Sequence, residues 1–269
     1  MGANNIQLLS GGLVRLEPIT NKVAYTQSID LLTDLISVWE LDETSAGAVV
    51  DSHGSNNGVN YNCTINQSSS PANLGKSYYM NGTTAYINVT DPFDFGENQD
   101  FTMSVWLNGT DNVTTNRPSI LNKRQVDQPA TGIDITYRYG PPLLDSNGNE
   151  TQYGFMYVLD WGANQAYIGS GNNTVPSTTT TWQHLVCYRS GTTMGLVLNG
   201  GTPVTYTDAI VSGDLSNTND FLIANERLKT RFYGACNFNQ VAVWNKGLTY
   251  AEISAVYNSG DGLAYSSWE

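Results

Sequence analysis

Residues 232–257 read FYGACNFNQVAVWNKGLTYAEISAVY, and the periodicity of the chain changes midway through them. Residues 238–244 alternate apolar with polar or small side chains, the two-residue period of a strand. Asn245-Lys246-Gly247 breaks that pattern. Thr249 with Glu252 then forms a capping box, and Ile253, Val256 and Tyr257 follow at helical spacing before a stop at Gly260. Few folds end a run of strands in one long strand and one short helix.

Other stretches carry the strand period. Residues 101–107, FTMSVWL, are nearly continuous in apolar side chains, as in a central strand. Tyr153, Phe155, Tyr157 and Leu159 alternate along one strand, and Trp182, His184, Val186 and Tyr188 along another. Met194, Leu196 and Leu198 form a return strand. Residues 78–89 read as a hairpin turning at Asn81-Gly82, a dipeptide that accepts positive φ. Asp30-Leu31-Leu32-Thr33-Asp34-Leu35, with its leucine face, reads as a helical fragment. No repeat or flexible linker interrupts residues 31–269, which makes them one domain preceded by an arm, residues 1–30. The arm holds a strand, Leu13-Val14-Arg15-Leu16-Glu17, halted by Pro18. It either adds an edge strand to the domain or docks it to a larger assembly.

Composition narrows the partners. Charged residues are only 13% of the 269, aromatic residues are 11%, and the net charge is −12. Phosphate recognition needs clustered Lys and Arg, so nucleic acid is excluded as a partner, and an anionic membrane surface is disfavoured. No stretch approaches the roughly 20 apolar residues of a membrane span, so no membrane insertion is expected. The polar start, Met1-Gly2-Ala3-Asn4-Asn5, is unlike a secretory leader. Without a secretory route, sequons such as Asn62, Asn81, Asn88, Asn108, Asn112 and Asn149 are by-products of an Asn- and Thr-rich chain. Three cysteines, Cys63, Cys187 and Cys236, leave at least one thiol unpaired.

In order along the chain, LISVWELDE at 35–43 with Asp51-Ser52-His53-Gly54, then FTMSVWL, then WQHLV at 182–186 with Leu198-Asn199-Gly200, and finally the closing strand and helix form a set. That ordered set resembles laminin-G-like domains, the concanavalin-A-like jelly rolls, over residues 31–262. The resemblance implies an all-β, two-sheet antiparallel jelly-roll sandwich with a short C-terminal helix. It also implies a calcium ion held between the first-strand loop and the closing strand. Asp42 and Asp51 match the loop residues in type, and Asn239-Gln240 stands where the family commonly has Asp-Glu. Replacing two charges by amides weakens such a site. The plainer role for the loop carboxylates is to cap backbone amides. Asp214, Asn217 and Asp220 form a second, weaker acidic set.

Sugar binding calls for aromatic platforms beside hydrogen-bonding side chains. Trp161 with Asp160 and Asn164, and Tyr137 and Tyr139 beside a long loop, have that composition, although Tyr and Trp stripes in a sandwich are mostly core. Glycosidases of this fold place two carboxylates along one strand in a pattern such as Glu-X-Asp-X-X-Glu, and no strand here carries it. His184, alone among aromatics, reads as a core residue rather than a general base. The chain therefore reads as a non-enzyme.

Two readings of its role follow. One is a phage virion component, a head fibre, capsid decoration or tail appendage, made in the host cytoplasm and joined to other virion proteins by the N-terminal arm. It would adhere to host-surface glycans, with a homo-oligomer in keeping with phage fibres. The run DSHGSNNG and the lead-in LLTDLISVWELDE resemble laminin-G-like phage structural proteins. The other is a carbohydrate-binding module of a bacterial secreted or surface protein.

Overall fold

A computed structural model describes residues 6–8, 14–16, 29–68, 70–111, 118–125, 129–138, 143–152, 154–172, 174, 181–226, 228 and 235–269. The strands begin with β1 (Ile6–Leu8), β2 (Val14–Leu16), β3 (Leu35–Trp39), β4 (Val59–Tyr61), β5 (Thr64–Gln67), β6 (Ser77–Asn81) and β7 (Tyr86–Val89). Next come β8 (Phe101–Asp111), β9 (Ser119–Gln125), β10 (Thr131–Arg138), β11 (Leu143–Leu144), β12 (Glu150–Thr151), β13 (Gly154–Trp161) and β14 (Asn164–Gly169). The series closes with β15 (Trp182–Ser190), β16 (Thr193–Leu198), β17 (Val204–Thr207), β18 (Phe221–Ile223), β19 (Ala235–Trp244) and helix α1 (Tyr250–Tyr257).

Two antiparallel sheets result, and the fold is a jelly-roll sandwich. One sheet runs β14-β13-β10-β9-β18-β7-β4. The other runs β17-β16-β15-β8-β19-β6-β5, with β3 also paired to β19. The apolar run at 101–107 lies where its pattern demands, in β8 between β15 and β19. The outermost strands are short: β4 has 3 residues, β5 and β17 have 4 each, and β14 has 6.

Strand alternation divides the apolar side chains between two cores. Val241 and Val243 of β19 point between the sheets, into a cluster with Trp39, Phe101, Leu121, Tyr157 and Phe221. Ala242 and Trp244 point outward, where Ile253 and Val256 of α1, Leu248 and Trp268 cover them. Trp244 stacks on Trp268 at 5.3 Å and donates its indole N–H to the Leu31 carbonyl at 2.8 Å. The capping box is present: Thr249 accepts from the Glu252 N–H, and the Glu252 carboxylate accepts from the Thr249 N–H at 2.7 Å. The helix ends at Asn258, which adopts the left-handed conformation with φ 46°.

His184 lies on the outer face of the larger sheet, fully buried, stacked on Trp106 at 4.6 Å, with its Nε2 2.8 Å from the Ser104 hydroxyl. Burial drives its pKa down from 6.5 to about 3. It is neutral in the fold and serves packing. Arg189, also fully buried, donates to the carbonyls of Gly96, Gln99 and Gly213 and lies over the Phe101 ring. It thereby ties two loops to the end of β15. All three cysteines are free, and Cys187 and Cys236 are buried. Among the described residues no helix is long and apolar enough to cross a membrane.

Two local expectations are corrected. Residues 30–35 form no helix: Asp30 accepts from the N–H groups of Leu32 and Thr33, each at 3.0 Å, and this turn leads directly into β3. Residues 78–89 are no hairpin, because β6 and β7 belong to different sheets. Asn81 Oδ1 accepts from the N–H groups of Thr83, Thr84 and Ala85, and this network arches the chain from one layer to the other. Within the arm, β1 and β2 pair with each other in a separate two-stranded ladder; of its other residues only Ile29 and Asp30 are among those described.

Two outcomes test this account. Thr249→Ala removes the helix cap and lowers stability by about 1 kcal/mol, read from the urea midpoint. His184 is protonated in the unfolded chain below its ordinary 6.5 but stays neutral in the fold down to about 3. The unfolded state therefore binds more protons in that window, so stability falls as pH drops from 6.5 towards 3. The slope attributable to this residue approaches about 1.4 kcal/mol per pH unit. His184→Gln reduces that slope in urea titrations across the window.

Candidate functional site

The most distinctive polar geometry arises where β19 changes partner. Residues 235–238 pair with β6 and residues 241–244 with β3, while β8 flanks the strand on its other side. Between these two ladders the register of β19 shifts, and Gln240 takes a positive φ of 32°. The fork is a bulge, a device that re-aims side chains. It opens into a pocket of about 210 Å³ lined by Glu40, Asp42, Gly75, Asn239, Gln240 and Ser266, with other backbone around them.

The amide groups in this pocket have one possible orientation. Asn239 Nδ2 donates to the Leu74 carbonyl at 3.1 Å and also to the Lys76 carbonyl, and Gln240 Nε2 donates to the Leu263 carbonyl at 2.9 Å. Carbonyls accept only, so the nitrogens are fixed on that side and the oxygens on the other. Asn239 is 0% and Gln240 2% exposed, and neither Oδ1 nor Oε1 has a hydrogen-bond partner. Asp42 approaches from the end of the first strand: a β-carbon placed on Gly75 would lie 3.2 Å from its Oδ2. Burial raises the pKa of Glu40 and of Asp42, and neighbouring acidic groups raise both further. The pocket is thus lined by oxygen acceptors.

Of the residues expected to hold a metal, the structure brings Asp42 and Asn239 together and leaves Asp51 apart. Asp51 is buried, and its oxygens accept from the N–H groups of Val38, His53, Gly54 and Asn56. Burial alone would raise its pKa, but those donors outweigh it and hold the carboxyl below its ordinary value. Asp51 is a loop cap. Glu40 was missed, since it reads as the end of a strand; Gln240 stood beside Asn239 in the sequence, and the bulge turns it inward.

The second acidic set is also structural. Asp214 accepts from the Ser216 N–H, and Asp220 from the Asp91 N–H. The ammonium of Lys123, whose side chain is 3% exposed, donates to Asp91 at 2.9 Å and to the carbonyls of Asn217 and Asn219. That loop cluster already contains a cation of its own.

The aromatic residues expected to bind sugar do not form one surface. Tyr137 is fully buried, edge-on to Phe155. Trp161 is partly buried against the core, and a β-carbon on Gly213 would strike its indole. Asp160, 4% exposed, is paired with Arg124 at 2.5 Å and accepts from Gln165. Asn164 is exposed, and Tyr139 lies outside the described residues. An exposed aromatic side chain beside a second ring lies at the β4 edge instead. Tyr61 is 41% exposed and stacks on Tyr86 at 4.6 Å with a 4° interplanar angle, beside exposed Val59 and the Asn88 side chain in neighbouring register positions. The sequence signal for it was the alternation Val59-Asn60-Tyr61, which marks a shared face without saying which.

Comparison with known proteins agrees with this architecture. The binding domain of Paraclostridial Mosquitocidal Protein 1 superposes with a TM-score of 0.60 at 13% identity, over 85% of this chain and 53% of that one. The botulinum neurotoxin serotype D ligand-binding domain, solved with N-acetylneuraminic acid, gives 0.61 at 13% identity, over 84% of this chain and 51% of that one. Domain 4 of AbnA, an extracellular arabinanase of Geobacillus stearothermophilus solved with arabinotriose, gives 0.56 at 15% identity, over 86% of this chain and 98% of that one. The chain therefore spans about half the length of the toxin chains. No curated protein matches its sequence. A family profile described as the concanavalin A-like lectin/glucanases superfamily matches residues 81–254, and the chain belongs to that superfamily.

Proposed function

We propose that the chain is a non-catalytic, lectin-like module that binds a neutral saccharide on the Tyr61 face of the β4 edge. The observation that carries this reading is the flat Tyr61–Tyr86 stack, in which the exposed Tyr61 ring is backed by the buried Tyr86 ring. Asn88 and the asparagine-rich turns beside it supply donors and acceptors, and the net charge of −12 opposes anionic sugars. Support comes from a structural neighbour of the same fold solved with a neutral oligosaccharide, arabinotriose. The buried carboxylates Asp51 and Asp145 support a passive role, because each is held by backbone N–H groups.

The setting we propose is a virion surface, with residues 1–30 joining the sandwich to other virion proteins and host-surface glycans as the ligand. The separate β1–β2 ladder and the phage-like lead-in support it. A second reading, a carbohydrate-binding module of a bacterial secreted or surface protein, is favoured by the likeness to the arabinanase domain over nearly its whole length.

A glycan array tests the first claim. The intact chain binds a neutral glycan, and Tyr61→Ala weakens it at least tenfold, about 1.4 kcal/mol, without changing the thermal midpoint. Trp161→Ala lowers the midpoint instead. Absence of any neutral-glycan binding by the intact chain overturns the saccharide reading. Deleting residues 1–30 leaves a folded domain that no longer joins particles; unchanged incorporation overturns the virion setting.

A further inference from the structure

We propose that Trp182, Asn108, Asn237 and Tyr79 form a second saccharide site, a platform for an extended neutral oligosaccharide on the outer face of the larger sheet. The proposal rests on the saccharide reading above and adds to it a site of another shape in another place. Tyr61 belongs to the smaller sheet, and these four residues belong to the larger one.

Register builds the platform. Trp182 of β15 lies opposite Asn108 of β8, Asn108 opposite Asn237 of β19, and Asn237 opposite Tyr79 of β6. The four stand in one line across neighbouring strands. Leu107, Phe238, Tyr78 and Met80, next to them along the chain, belong to the core between the sheets, so the line faces outward. All four side chains are partly exposed, and exposed Thr64 of β5 extends the line opposite Tyr79. Three strand spacings separate the two rings, a span of roughly 14 Å, about the length of three linked sugar rings.

The next line of the same face is covered. Trp106 and His184 lie opposite each other there, and Tyr257 at the end of α1 stacks on both, at 5.8 and 5.9 Å. The helix therefore stops one line short of the platform. Its terminal ring forms a wall along one side of the strip left open.

The two amides carry the argument. Asparagine is disfavoured in strands, yet Asn108 and Asn237 face each other within two long ones. Other amides inside strands are tied down: Asn122 donates to Asp134 at 3.1 Å, and Asn239 to the Leu74 carbonyl at 3.1 Å. Among the described residues, neither Asn108 nor Asn237 has a side-chain hydrogen bond. No buried partner calls for an amide at either position, whereas a bound saccharide would use both. A local rule broken in this way marks a functional surface. Each free amide offers an acceptor and two donors to sugar hydroxyls, while Trp182 and Tyr79 offer rings to the apolar faces of the sugars. The line contains no charged side chain, which fits a neutral ligand.

The test uses the full chain against arrayed neutral glycans from monosaccharides to tetrasaccharides, arabinotriose among them, with calorimetry on the tightest trisaccharide or tetrasaccharide. The intact chain prefers the longer glycans. Trp182→Ala weakens their binding at least tenfold and spares the binding that Tyr61→Ala removes. Asn108→Thr combined with Asn237→Thr weakens the longer glycans by the same factor and raises the thermal midpoint, because threonine suits a strand. Lost binding in a more stable protein separates the platform from misfolding. Unchanged binding of the longer glycans in the double threonine variant overturns the platform. If Tyr61→Ala alone abolishes all glycan binding, the platform falls and the β4 site stands. If Tyr61→Ala changes nothing while Trp182→Ala and the double variant lose binding, the β4 site falls and the platform stands. No binding of any neutral glycan by the intact chain overturns both.

Discussion

Strand β19 is hydrogen-bonded along one edge to β8 and along the other to two strands in succession, first β6 and then β3. Much else depends on this sharing. Because β19 must leave one partner and take up another, its ladder breaks at Asn239 and Gln240, and the broken segment leaves polar side chains inside the layer. Because its alternation continues on either side of the break, Val241 and Val243 complete the core between the sheets while Ala242 and Trp244 seat the helix. One strand therefore anchors both apolar clusters and creates the polar pocket.

The sandwich was legible in the sequence wherever the period was regular. Residues 101–107, 182–188 and 238–244 announced their strands, and Thr249 with Glu252 announced the helix start, because these signals act between residues close in sequence. The crossing from β6 to β7 was hidden, since Asn81-Gly82 specifies a reversal of direction and is silent on which sheet receives the chain. The site divided in the same way. Asp42 and Asn239 could be picked out by type and position. The caps held by Asp51, the ammonium of Lys123 among loop carbonyls, and the inward turn of Gln240 depend on contacts between distant residues. Tyr137 and Tyr61 both sit in alternating runs, and only the assembled sheets separate the buried ring from the exposed one.

Several buried charged groups in this protein are met by matching partners. Arg189 meets carbonyls, Lys123 meets carboxylates and carbonyls, and Asp51 meets a ring of N–H groups. The two unpartnered amide oxygens at the fork differ from other unpartnered buried atoms, such as the Trp106 indole nitrogen, in lying on adjacent residues of one pocket. Their nitrogens are as well placed as any in the molecule, so the imbalance lies in one half of each amide.

The short outermost strands have a consequence for crowding. A long, flat margin offers a neighbouring molecule a continuous row of unpaired amides, the template from which sheets spread between chains and fibrils grow. With three to five residues in β3, β4, β5 and β17, and Asn164 and Gln165 exposed at the start of β14, this domain offers little for such a row to begin on. Many copies held side by side at high local concentration would then remain separate folded units.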